Sequence, residues 1–175
     1  STPVLANGDR MFAFAEAAGR RIVQMVNEDL RPSAILTPQA FENAVMAGLA
    51  LSASINLVRH LQAIAAEARC PVDIYELYDR LGPKIPLLAA VRPNGETRIE
   101  ELEAAGGTLG VMKRLGALIH RDALTVSGRT WGTEIDVAPE AGAVIRTVDN
   151  PISRKPSVIV MRGNLAPEGS ILKVG

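Results

Sequence analysis

Thr37-Pro38-Gln39-Ala40-Phe41-Glu42-Asn43-Ala44-Val45-Met46-Ala47-Gly48-Leu49-Ala50-Leu51 is read first, because the elements on either side are placed from it. A hydroxyl followed by proline is a strong helix start. The threonine side chain caps the first turn, and proline's missing N–H costs nothing at the first helical position. Phe41, Val45 and Leu49 then recur at helical spacing. The apolar run from Ala44 to Leu51 falls well short of the roughly 18 residues that span a bilayer, and it continues into Ser52, Ser54 and Asn56.

Upstream, Met11, Phe12, Phe14, Ala15, Ala18, Ile22, Val23 and Val26 recur at helical spacing behind possible caps at Asn7 or Asp9. Downstream, a helix is expected from near Ser54 to Arg69, with Leu57, Leu61, Ile64, Ala65 and Ala68 on one stripe. Cys70-Pro71 ends it, since proline removes a donor and clashes with the preceding turn. A shorter helix from about Asp73 to Leu81 stops at Gly82-Pro83. The apolar run Pro86 to Val91, closed by Pro93-Asn94-Gly95, predicts a buried strand and a turn. Helices over Thr97–Ala105 and Thr108–Leu115 follow, separated by Gly106-Gly107.

Beyond His120 the texture becomes β. Ala123–Val126, Ala143–Arg146, Ser157–Met161 and Ser170–Val174 are short runs rich in β-branched and aliphatic residues, divided by Gly, Pro and Asn. Residues 149–156 hold two prolines and no helical periodicity, which predicts a linker. The expected class is therefore α/β: a helix-rich α/β domain over 1–148, then the first β-strands of a second, β-rich domain over 157–175. A two-stranded sheet is marginal alone, and the N-terminus lacks an initiator Met. Both features lead to the expectation that the chain is a fragment of something longer.

Composition excludes several classes. Lys and Arg number 19 against 19 Asp and Glu, so the chain lacks the basic footprint of a nucleic-acid binder or a polybasic membrane-surface protein. One cysteine excludes an intrachain disulfide framework and cannot alone supply a four-thiolate metal site. With 47% hydrophobic and 22% charged residues the chain is globular. Aromatics make up only 3%, so its core must be aliphatic. The first residues do not form a signal peptide, and a reducing cytoplasm is the expected compartment.

Motifs for chemistry are few. No P-loop, dinucleotide-binding glycine pattern, nucleophile elbow or His-Glu-x-x-His is present. His60 is expected to be solvated or at the edge of the core, and Cys70 to be a small, inert, half-buried thiol. The acidic run Glu100-Glu101-Leu102-Glu103 predicts a solvated helix face. His120-Arg121-Asp122 sits at a helix-to-strand junction, the kind of place where α/β folds carry sites, so His120 and Asp122 are candidate pocket residues. Gly163 to Gly169 has more turn-forming residues than a plain hairpin needs. It reads either as a loop with a bulge or as a loop packed on another domain.

That loop carries a resemblance. Arg162-Gly-Asn-Leu-Ala-Pro-Glu-Gly169 with Ser170 to Lys173 resembles the start of the second domain of the dihydroxy-acid and sugar-acid dehydratases, the family that includes phosphogluconate dehydratase. Further blocks resemble the same family in the same order. They are Asp29 to Thr37 with Ala40 to Ala44, His60 to Ile64, and Ile85 to Ala89 with Arg92 to Gly95. Ala105 to Gly107 with Val111 to Lys113, Asp122 to Thr130, and Val148 to Pro151 complete the set. The resemblance covers about Gly19 to Val174.

It implies a parent several times longer that removes water from a 2,3-dihydroxy acid to give a 2-keto acid. Family members use an iron–sulfur cluster held by three cysteines and a magnesium ion held by carboxylates and a carbamylated lysine, with a serine of the second domain as base. None of those motifs falls on this sequence. No catalytic or metal residue is therefore assigned here, and neither group is expected on this chain alone. The resemblance makes residues 1–148 the latter part of the N-terminal domain and implies a homo-oligomer, although no stripe of the sequence singles out an interface. Resemblance to the sugar-acid members, around Asp122–Thr130 and Arg162–Pro167, favours an aldonate such as a pentonate. One departure stands out. Where the family has a Gly-Gly-Ser-Thr-Asn-like stretch, this chain has Ser52-Ala53-Ser54-Ile55-Asn56. Ser54 and Asn56 match and join the candidate pocket residues. The lost glycines imply either an altered pocket or a parent without activity, a binding or scaffold module.

Overall fold

A computed structural model describes Val4 and residues 7–174. Helix α1 spans Asp9–Asn27, α2 Pro32–Ile35, α3 Pro38–Ala50, α4 Asn56–Glu67 and α5 Ile74–Leu81. Then come α6 Ile99–Ala104, α7 Gly107–Leu115, a 3-10 turn over Gly116–Leu118, and α8 Trp131–Val137. Strands β1, Val158–Gly163, and β2, Ala166–Lys173, close the chain. The fold is helix-rich α/β, with one two-stranded antiparallel sheet at its C-terminal end among the described residues.

Helix α3 is the centre of the molecule. Thr37 caps it as expected, its side chain accepting a hydrogen bond from the Ala40 amide at 3.3 Å. Every residue from Val45 to Ala50 is buried. Around it pack Val58, Leu61 and Ala65 of α4, Ile74, Leu77, Tyr78 and Leu81 of α5, and Val111, Met112 and Leu115 of α7. Its C-terminus is buried too, so its last four carbonyls need partners. Leu51 donates to Ala47, Ala53 to Gly48, and Ser52 to Leu49. The Ser157 hydroxyl also donates to Leu49, at 2.7 Å. Leu88 and Ala89 both donate to the Ala50 carbonyl, at 2.8 and 3.1 Å. Two distant segments of the chain thus converge on one helix end.

Two of those bonds define the cap. The Ala53 amide on Gly48 and the Ser52 amide on Leu49 form a Schellman motif, whose left-handed residue is Ser52 at φ +47°. Helix α1 ends in the same way at Asp29, φ +53°, and α4 at Arg69, φ +53°. Each of these positions normally favours glycine, and each is occupied here by a residue with a side chain.

Several expectations are corrected. The run Pro86 to Val91 is buried, but it is not a strand of a sheet. Its backbone is satisfied by the end of α3 and by single bridges, Leu87 to Ser153 and Val91 to Thr97. Ala123–Val126 and Ala143–Arg146 are not strands either. The first makes one bridge, Leu124 to Thr130, and in the second Ile145 closes a turn onto Gly142. Between them lies α8, whose Thr130 side chain accepts from the Thr133 amide at 3.3 Å. In α4 the buried face is Val58, Leu61 and Ala65, while Ile64 is exposed. Helix α1 forms, but it buries only Met25 and turns Phe12, Phe14, Ile22, Val23 and Val26 outward.

The hairpin pairs Val158 with Lys173, Val160 with Ile171 and Gly163 with Ala166, with an irregularity between Met161 and Gly163. The segment from Gly163 to Gly169 is thus a bulged hairpin, with Leu165 95% exposed at its tip. Residues 152 and 153 are bonded to Leu87, so the segment expected to link two domains lies against the helical part.

Candidate functional site

Asn43 is the polar residue that α3 carries into its buried face, and it does not stand unpaired. Its Oδ1 accepts the His120 amide at 2.8 Å, and its Nδ2 donates to the His120 carbonyl at 3.0 Å. The amide side chain thereby acts as a two-point clamp, pairing both backbone groups of one residue at the start of the loop that leads to α8. Its neighbour Glu42 holds the side chain of the same residue. His120 Nε2 lies 2.8 Å from Glu42 Oε2, and Arg80 of α5 donates to Glu42 Oε1 at 2.6 Å. Partial burial works against ionisation of Glu42. Hydrogen bonds from His120 and Arg80, with the Arg80 charge, outweigh that and hold the carboxyl below the usual carboxylate range.

The same face of α3 walls a cleft of about 360 Å³ between α3, α4, α7 and α8. Its lining is mainly apolar and includes Ala44, Ala47, Leu57, Met112 and Trp131. Gly48 lies in its wall at a tight spot. A Cβ at that position would meet Leu57 Cδ2 at 2.7 Å and the Tyr78 hydroxyl at 3.0 Å. Burial pushes the Tyr78 phenol up to about 12, so it stays neutral at ordinary pH. The cleft offers shape and apolar contact. It has no charged lining residue, and the polar atoms of Asn43 are already spent on His120.

None of the four sequence candidates lines this cleft, and they fall in two groups. Ser54 and Asn56 follow Ala53 of the cleft wall. The Ser54 hydroxyl accepts the Asn56 amide at 3.3 Å, which starts α4, and Asn56 borders a second, open cleft with Arg59, Tyr75 and Ser170. His120 is tied to α3 through Asn43, while Asp122 is exposed in the loop beyond it. Sequence reasoning missed Asn43, Glu42, Arg80 and Trp131. One signal was available: an asparagine inside an otherwise apolar helix run must find partners.

The loop after Asp122 has its own network. Ser127 and Arg129 hydrogen-bond Glu134 of α8, and both hold its carboxyl low. Arg21 of α1 donates to the Val126 carbonyl at 2.6 Å and pairs with Glu28. His60 is exposed, as expected. Cys70 is a half-buried free thiol, and burial pushes its pKa up, away from the reactive thiolate. Among the described residues no group of three or more His, Cys, Asp or Glu could hold a metal ion. With one thiol and scattered, paired carboxylates, these residues do not fit an iron–sulfur cluster or a magnesium site, and no chemical step is derived through either. Among the described residues no helix is long and apolar enough to cross a membrane.

Comparison with known proteins gives the arrangement its context. L-arabinonate dehydratase of Rhizobium leguminosarum bv. trifolii is 43% identical over 167 residues, covering 94% of this chain and 29% of that protein. Dihydroxy-acid dehydratase of Acetivibrio thermocellus is 42% identical over 162 residues, covering 91% of this chain and 29% of that protein. The dihydroxy-acid dehydratase of Pyrococcus furiosus is 43% identical over 163 residues, with the same two coverages of 91% and 29%. The chain therefore spans about three tenths of the length of the curated relatives it matches. Residues 1–134 match the dihydroxy-acid/6-phosphogluconate dehydratase N-terminal family, and the chain belongs to that family.

Proposed function

We propose that this chain is a fragment of a hydro-lyase that converts a 2,3-dihydroxy acid, by preference a sugar acid, into a 2-keto-3-deoxy acid, and that it is inactive by itself. The observation that carries this reading is the family match over residues 1–134 together with relatives named for that activity. The sugar-acid preference is supported by L-arabinonate dehydratase, at 43% identity, and by the Asp122–Thr130 and Arg162–Pro167 stretches. By resemblance, the parent uses an iron–sulfur cluster and magnesium held by residues outside this chain, in a cytoplasmic homo-oligomer.

In this reading residues 1–148 are the latter part of the N-terminal domain, 149–156 the linker and 157–175 the start of a β-rich second domain. The family match stops at residue 134, before the sheet begins at Val158, which supports that division. The chain contributes no reacting group. Its α3–α4–α7–α8 wall shapes the domain, and this reading assigns Ser54, Asn56, His120 and Asp122 to the side that faces the substrate pocket. A second reading, a non-catalytic binding or scaffold homologue, starts from Ser52-Ala53 in place of glycines. Against it, Ser52 still adopts the left-handed turn a glycine would make, at φ +47°.

The test is 2-keto acid formation by the full parent protein, purified anaerobically, on L-arabinonate and on a branched-chain 2,3-dihydroxy acid. Turnover of the pentonate with the higher kcat/KM supports the reading. Preference for the branched acid replaces the substrate, and no turnover of either by cluster-loaded protein favours the scaffold. The 175-residue chain alone is expected to form no keto acid from either substrate.

A further inference from the structure

Asn94 and Gly95 stand together in the turn that closes the buried run Pro86–Val91. The turn is shut by the Asn94 amide on the Val91 carbonyl and the Arg92 amide on the Thr97 carbonyl, each at 2.9 Å. Gly95 packs so closely on Ala90 that a Cβ there would strike the Ala90 carbonyl. The Gly95 amide has no acceptor among the described residues. The Asn94 carboxamide is held from far along the chain. Its Nδ2 donates to the Ser52 hydroxyl oxygen at 2.9 Å, across 42 positions of sequence. Ser52 is buried and keeps a side chain at φ +47°, where backbone strain favours glycine. Among the described residues, that bond to Asn94 is the one its hydroxyl makes.

We propose that Asn94 is a site of intramolecular deamidation and that the Ser52 hydroxyl is the catch that holds the reaction off in the folded chain. Asparagine is a thermolabile residue, and a following glycine leaves the attacking nitrogen unshielded by a side chain. The Gly95 nitrogen gives up its proton to solvent and bonds to Asn94 Cγ. The Cγ–Nδ2 bond breaks, and Nδ2 leaves as ammonia, taking a proton from solvent. Water then opens the cyclic imide at one or other carbonyl, leaving aspartate or isoaspartate. Water is the only co-reactant. Ring closure swings the carboxamide onto the following residue, and the Ser52 bond opposes that swing. The product alters the turn. A carboxylate replaces the amide that donated to Ser52, and isoaspartate adds a methylene to the main chain inside the loop that Arg92 and Thr97 close. The same segment carries Leu88 and Ala89 onto the Ala50 carbonyl, which ties the altered turn to the end of α3. This chemistry is independent of the dehydratase reading.

Incubation of the 175-residue chain at mildly alkaline pH, followed by tryptic peptide mass spectrometry, tests it, with circular dichroism to confirm that each variant folds. The variant is Ser52→Gly, which removes the hydroxyl and relieves the left-handed strain together, so a faster reaction is not the result of a weakened fold. Asn94 is expected to convert roughly fivefold faster in Ser52→Gly than in the unaltered chain, the gain from losing one ordinary hydrogen bond. In urea sufficient to unfold both chains the difference should vanish. Asn7-Gly8, the other Asn-Gly of the sequence, is the internal reference, and its rate should not respond to Ser52→Gly. An Asn94 rate unchanged by Ser52→Gly overturns the catch, as does an equal rise at Asn7 or a difference that persists in urea. No conversion of Asn94 in Ser52→Gly over the time in which Asn7 converts overturns the site itself.

Discussion

Ser52, Asp29 and Arg69 all hold left-handed backbone at helix ends, a conformation costing an L-residue about 1–2 kcal/mol. They differ in what the side chain returns. Ser52 is buried and its hydroxyl accepts from Asn94 Nδ2 at 2.9 Å, whereas Arg69 is exposed. Arg69→Gly is therefore expected to raise unfolding free energy by about 0.5–1 kcal/mol in urea titration. Ser52→Gly gains similarly but loses a hydrogen bond worth about 1 kcal/mol, so it should be close to neutral. Ser52→Ala keeps the strain, loses the bond, and should destabilise by about 1 kcal/mol. Asn43→Ala strands both backbone groups of His120 and should cost about 2–4 kcal/mol by the same titration. The sequence flagged position 52 only because a glycine was expected there. Asp29 and Arg69 gave no signal, since a Schellman cap is usually recognised by its glycine. Asn43 was visible as a residue in a helix, but its partner lies 77 positions away, and such separation leaves no local pattern.

Helices were legible where their boundaries carry chemistry. Thr37-Pro38 and Asp73 cap α3 and α5 as the residue types dictate, the Asp73 carboxylate accepting from Tyr75 and Glu76 amides at 2.8 and 3.2 Å. Helix α8 was missed because its seven residues are too few to show periodicity and its Thr130 cap follows a β-like run. The absent strands have a common cause. Short apolar runs such as Pro86–Val91 are equally consistent with any buried segment, and here helix ends supply their hydrogen-bond partners. The join of α3, α5 and the His120 loop through Glu42 carries a pH dependence. Its carboxyl titrates lower folded than unfolded, so its contribution is fully present above the unfolded range near pH ~4.3 and is lost as pH falls through the folded value. Glu42→Gln should lower the urea midpoint at neutral pH and flatten its decline on acidification, as followed by circular dichroism.

At the scale of the molecule, class and family were legible because blocks of sequence recur in order, and the division into domains was read from composition, the short β runs and the same resemblance. The hairpin begins at the expected place, yet residues 152 and 153 are bonded to Leu87, and Ser157 is bonded to the end of α3. The described chain is tied at its C-terminal end by backbone bonds of residues 152 and 153 and by the Ser157 hydroxyl. The cleft between α3, α4, α7 and α8 was not read from the sequence, since most of its lining is apolar and carries no chemical signature of its own. The converging bonds on the last carbonyls of α3 have a mechanical consequence. A pull applied at Lys173 passes through the Val158 pairing into Ser157 and then onto Leu49 in the interior. While the strands stay paired, load on the hairpin reaches the interior through a single hydroxyl, so Ser157→Ala should uncouple the hairpin from the end of α3.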